Sequence, residues 1–161
     1  MEKTHNYTTV LTWTGNKGAG TASYMAYDRD YILTAAGKPE IPGSSDPSFR
    51  GNRERYNPEE LLVASLSSCH MLWYLHLCSV NKIVVVDYRD QAEGVMVEKA
   101  DGSGYFREVT LRPLVTITDA AMVEKATALH HEAHKYCFIA ASMNFPVHHQ
   151  PEFNVVQGKV V

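Results

Sequence analysis

The stretch NPEELLVASLSSCHMLWYLHLC, Asn57 to Cys78, reads as one long helix that is apolar on nearly every side. Asn57 suits the N-cap, Pro58 the first helical position, and Glu59 and Glu60 the positive end of the helix dipole. The periodicity carries the helix to about Ser79, with Asn81 near its stop. An apolar surface running almost all the way round predicts burial on most sides. A chain of 161 residues has little material to surround such a helix, so a partner subunit is expected to supply the rest. Ser65, Ser67, Ser68, His70 and His76 interrupt the apolar run, which fits a core helix better than a membrane span.

The flanking segments set the fold class. Upstream, Tyr7–Trp13, Thr21–Tyr27 and Tyr31–Ala35 read as strands, with a turn at Gly15–Gly20. The Pro-, Gly- and Ser-rich stretch from Gly37 to Tyr56 reads as a long loop. Downstream, Ile83–Val97 and Tyr105–Thr118 are strand-like and are joined by the turn Asp101-Gly102-Ser103-Gly104. Asp119 caps a second helix from Ala120 to about Tyr136. Phe138–Met143 continues or bends that helix, and Phe145–Val161 closes the chain as a strand pair or edge strand. This order is not the alternation of a parallel α/β protein. It predicts a single α+β domain over residues 1–161, with antiparallel sheet packed around two long helices.

Composition narrows the function classes. The chain is 45% hydrophobic and 20% charged, with a formal charge of -3 and no basic stripe, which argues against nucleic acid as the main partner. The polar start MEKTHNYTTV lacks a signal-peptide core, so a cytoplasmic location and no membrane partner are expected. Three cysteines in that setting do not suggest a structural disulfide framework.

The thiols differ by geometry. Cys69 and Cys78 lie nine positions apart on one helix, on nearly opposite faces and roughly 13 Å apart along the axis, beyond disulfide reach. Cys78 therefore reads as a small buried hydrophobe. Cys69 and Cys137 sit on separate helices and can approach. Cys137 falls near a helix C-terminus, where the dipole disfavours a thiolate, so Cys69 is the better candidate for an attacking thiol and Cys137 for a resolving one. Arg50, Arg53 and Arg55 in the preceding loop could support a thiolate, and Glu59 could orient an arginine. Glu59 is ten residues before Cys69, roughly 15 Å along the axis. It would reach Cys69 only across two antiparallel helices of a dimer.

The histidines do not form a zinc motif. His131-Glu132-Ala133-His134 has a spacing of three, and His130 with His134 lacks the following glutamate, so no metal is expected. His148-His149 reads as surface. No GxGxxG, P-loop or serine-hydrolase elbow is present, and no cofactor is expected.

Asn57-Pro58-Glu59-Glu60-Leu61-Leu62 followed by Cys69 resembles the signature of the OsmC/Ohr family, the osmotically inducible protein C and organic hydroperoxide resistance proteins. Ala133-His134-Lys135-Tyr136-Cys137, and Phe145-Pro146-Val147 leading to a last strand, resemble its second half. The resemblance implies an intertwined homodimer with the long helices buried between sheets. It implies a thiol peroxidase that reduces organic hydroperoxides, with Cys69 peroxidatic, Cys137 resolving, and a Cys69–Cys137 disulfide reduced by a dithiol, of lipoyl type in the family pattern. Glu59 matches the acid that holds the catalytic arginine across the dimer. Arg50 is the nearest match to that arginine, with Arg53 and Arg55 next. Phe138 stands where the family often has proline. Met71, Trp73 and Phe138 are expected around an apolar pocket. The alternatives are a non-enzymatic OsmC-like dimer that binds a small apolar ligand at its interface, and a metal-dependent hydrolase using the histidines.

Overall fold

The computed structural model describes residues 2–156. The chain divides into two compact units, Met1–Leu61 and Leu62–Val161. The first unit holds β1 (Val10–Trp13), β2 (Tyr31–Thr34) and β3 (Ile41–Gly43), an antiparallel sheet in the order β1-β2-β3. Thr21–Tyr27, expected as a strand, is instead turn and bend, with one isolated bridge from Tyr27 to Asn16. The reason is local. The Asn16 Oδ1 accepts the backbone N–H groups of Gly18 and Gly20, and both glycines adopt positive φ, which curls the chain before a strand can form. The expected loop 37–56 contains β3 and a 3-10 turn at Pro47–Phe49, which Asp46 caps through the Ser48 N–H.

The long helix α1 spans Pro58–Val80. Its start is a capping box: the Glu60 N–H donates to Asn57 Oδ1 at 2.8 Å, and the Asn57 N–H donates to Glu60 Oε2 at 3.1 Å. By length and composition alone α1 could cross a membrane. In the fold its residues Leu66, His70, Tyr74 and Cys78 are buried at a spacing of four, one stripe of the helix surface. Ala64, Ser68, Leu72 and His76 make the opposite, exposed stripe. Within the single chain, then, α1 is covered on one side and not all round.

The rest of the second unit wraps that buried stripe. Strands β4 (Val85–Asp90) and β5 (Glu93–Glu98) arise from one strand-like run, as do β6 (Gly104–Leu111) and β7 (Pro113–Ile117). They end up in different sheets, β4-β7-β9 and β5-β6-β8, where β8 is Val147–His149 and β9 is Glu152–Val155. Each run breaks at a corner. Pro113 has no N–H to give to a ladder, and Pro151 stands between β8 and β9. Asp90 ties the corners together, with Oδ2 accepting from Ser67 Oγ of α1 and Oδ1 from the Arg112 N–H. The hairpin pairs β4–β7 and β5–β6 are antiparallel as expected. The closing strands are not: β8 runs parallel to β6, and β9 parallel to β7. The return through the second helix, α2 (Val123–Tyr136), brings the chain back in the same direction. A short α3 (Phe138–Ala141) follows as a separate turn. The end of the expected closing segment, 157–161, lies outside the described residues.

Two apolar clusters share α1. Leu66 packs with Val109, Leu111 and Val147 of the β5-β6-β8 side. Tyr74 and Cys78 pack with Val115 and Ile117 of β7 and with Ala126, Leu129 and Ala133 of α2. His70 falls between them on the same stripe.

Candidate active site

Cys69 sits mid-α1, half-buried, one residue before His70. Cys137 is buried at the junction where α2 ends and α3 begins. Both are free thiols, and the Cys69 sulfur lies close enough to Cys137 to raise the pKa of its thiol. The two helices therefore bring together the pair expected from the sequence.

The junction explains the chemistry of Cys137. Its N–H donates to the His134 carbonyl at 3.3 Å, closing α2, and its sulfur accepts the Ala140 N–H at 3.4 Å, opening α3. Burial pushes its pKa up to about 11, with the Cys69 sulfur adding to the rise, while the Ala140 and Ile139 amides oppose it. The expectation that the α2 C-terminus disfavours a thiolate has the right direction but the wrong leading cause. Desolvation dominates, and α3 presents amide hydrogens to the sulfur. Cys78 is buried at the far end of the stripe, its pKa also raised by burial.

Aromatic side chains flank the pair. Trp73, one turn after Cys69, stacks on Tyr136 with centroids 5.1 Å apart and meets Phe138 edge-on at 5.8 Å. Phe138 is 69% exposed and Tyr136 49%. A shallow recess of about 270 Å³ beside them is lined by Leu72, Trp73 and His76. Of the three pocket residues expected, Trp73 and Phe138 do come together; Met71 is half-buried and does not line this recess.

The remaining candidates belong to the first unit. Arg50 is exposed, ends the 3-10 turn with φ 65°, and places its guanidinium 5.8 Å from the Tyr24 ring centroid. Arg55 pairs with Asp30 at 3.1 Å, and Arg53 is exposed. Glu59, half-buried in the first turn of α1, makes no ion pair among the described residues. Its charge adds to the burial that raises the pKa of Tyr31.

The histidine cluster includes His70, which the sequence did not single out as a member. His70 Nε2 and His130 Nδ1 are 2.9 Å apart, and both side chains are buried. His149 of β8 stacks 5.6 Å from His70 and meets His131 at 4.7 Å, so it faces inward and is not the surface residue expected. His148 does lie at the surface, 3.5 Å from Glu108. His130 pairs with His70. The available signal was His70 on the same four-residue stripe as Leu66, Tyr74 and Cys78. Among the described residues no three His, Cys, Asp or Glu side chains are disposed to hold a metal ion.

Split mixed sheets around two helices, with a buried thiol near a more accessible one, define an α+β protein with a thiol pair where its helices meet. The comparisons make this specific. The family model for OsmC-like protein matches residues 51–152, and the chain belongs to that family. It is similar in structure to an OsmC-like protein of unknown function from Vibrio cholerae, at 28% identity and TM-score 0.84, covering 92% of this chain and 100% of that one. An organic hydroperoxide resistance protein from Elizabethkingia anophelis shares the fold at 19% identity and TM-score 0.68, over 96% of this chain and 100% of that one. The organic hydroperoxide resistance protein OhrB of Bacillus subtilis does so at 18% identity and TM-score 0.60, over 93% and 98%. No curated protein matches the chain in sequence.

Proposed function

We propose that this protein is a thiol-dependent peroxidase that reduces organic hydroperoxides to alcohols. The observation that carries the reading is the approach of the Cys137 thiol to Cys69 across α1 and α2. The Cys69 thiolate attacks the distal peroxide oxygen. The O–O bond breaks, the leaving alkoxide takes a proton to become the alcohol, and Cys69 becomes a sulfenic acid. Cys137 then attacks the Cys69 sulfur, forming the S–S bond and releasing water. An external dithiol, of lipoyl type by the family resemblance, reduces the disulfide by thiol exchange.

The high pKa of Cys137 supports its second place in this order, because a thiol held protonated is a poor first nucleophile. Accessibility supports the same order: Cys69 is half-buried and Cys137 is 1% exposed. Arg50 is proposed to stabilise the Cys69 thiolate, with Glu59 orienting it, in a cytoplasmic homodimer. The exposed α1 stripe with Leu72 at 64% exposure and Val80 at 61% supports a second copy as its cover. The test is consumption of cumene hydroperoxide with dihydrolipoamide as reductant. Cys69→Ser is expected to abolish it, and Cys137→Ser to leave one turnover that dimedone can trap. Full activity in Cys69→Ser would overturn the proposal. No turnover by the unaltered protein, with an apolar ligand bound instead, would favour a binding function.

A further inference from the structure

The buried histidines lie where the thiol-bearing helices meet. His70 follows Cys69 directly on α1. His130 lies seven residues before Cys137 on α2, two turns away and on the same face. One imidazole–imidazole contact of 2.9 Å therefore ties the neighbour of one thiol to the helix that ends at the other. Tyr74, one turn beyond His70, stacks on the other side of this joint, 3.8 Å from the His130 ring and only 10° from parallel. The outer ring nitrogens, His70 Nδ1 and His130 Nε2, are buried and find no hydrogen-bond partner among the described residues. The inner bond is thus the pair's only polar anchor, and either tautomer choice makes it with one proton between the rings.

We propose that His70 and His130 are positioning residues for the resolving step: their hydrogen bond holds α2 against α1 so that Cys137 reaches the Cys69 sulfur. This rests on the peroxidase reading for its role in turnover, but the geometric claim concerns the two sulfurs alone. With both imidazoles protonated, two N–H donors face each other and two like charges share a dry site. The groups facing the pair offer no relief. They are Tyr74 from α1, His131 and His134 from α2, His149 from β8, Phe153 from β9, and Tyr88 of β4 behind Tyr74. The charges bearing on the two rings come from other histidines, which resist protonation further.

Diamide reads the sulfur–sulfur approach without any peroxide. It takes two electrons and two protons from the two thiols, forming the disulfide and a hydrazine. His130→Phe keeps a flat ring against Tyr74 and removes the bond. His130→Asn returns a donor or acceptor near the Nδ1 position. In His130→Phe, checked as folded by near-ultraviolet circular dichroism, diamide closure of Cys69–Cys137 is expected to slow by about tenfold or more. His130→Asn is expected to recover much of that rate. Closure at the parent rate in folded His130→Phe would overturn the proposal.

Should His130→Phe fail to fold, His70 carries the test. His70→Gln places an amide near the Nε2 position and is expected to close within a few-fold of the parent rate, while His70→Leu is expected to slow closure by about tenfold or more. Equal closure rates in the two variants would overturn the proposal. Slow closure in His130→Phe, without hydroperoxide consumption by the unaltered protein, would leave the positioning role standing and reject the peroxidase reading.

Discussion

Mild acid should destabilise this protein, and the histidine pair sets the size of the effect. Burial, with neighbouring histidines adding, holds His70 down at about 4 and His130 at about 3, against an ordinary value of 6.5. The sign follows. Both imidazoles are neutral in the fold and take a proton readily only in the unfolded chain. Above about pH 6.5 neither state carries these protons, and stability is indifferent to them. Between about 6.5 and 4 the unfolded state binds two more protons, so stability falls as pH falls, by about 2.7 kcal/mol per unit for the pair. From pH 7 to 5 the loss integrates to about 4 kcal/mol, a large share of an ordinary domain stability of about 5–15 kcal/mol. His149 is also held low by burial and its histidine neighbours and pulls in the same direction. The assay is urea denaturation at pH 7.5, 6 and 5, followed by far-ultraviolet circular dichroism at one protein concentration, since assembly would shift the midpoint. His130→Phe should lose about half the slope. A midpoint unchanged between pH 7 and 5, or a slope unchanged in that variant, would refute the reasoning.

Three other expectations follow from the same structure. Asn57→Ala removes the side-chain half of the capping box and should cost about 1 kcal/mol in denaturant stability. Leu66→Ala empties a fully buried position in the β5-β6-β8 cluster, for a loss of about 2–5 kcal/mol and a lower melting temperature. In the folded protein Ellman's reagent should label Cys69 first. Cys78 and Cys137, buried and with raised pKa values, should react only after denaturant is added, which a quantitative time course distinguishes.

How far the sequence could be read depends on whether each signal was local. The start of α1 was legible because a capping box lies within four residues, Asn57 to Glu60. The turn joining β5 to β6 was legible for the same reason. Thr21–Tyr27 was misread because two glycines and one asparagine curl the chain ahead of an otherwise strand-like composition. The splitting of each long strand run between two sheets was not visible, because the break depends on where Pro113 and Asp90 meet in space.

The thiols divide along the same line. That Cys69 and Cys78 cannot pair is a consequence of helical rise, and the sequence alone determined it. It also determined which two cysteines stand on separate helices, and the motif that marks the family. Only the tertiary structure decided that Cys137 lies buried against Cys69 at a helix junction, where burial outweighs the amides that face it. Only it joined His70 to His130 across 60 positions of sequence. Local rules act over a turn of helix or a few residues of strand. Burial and the meeting of distant side chains are set by packing, which no short stretch of sequence contains.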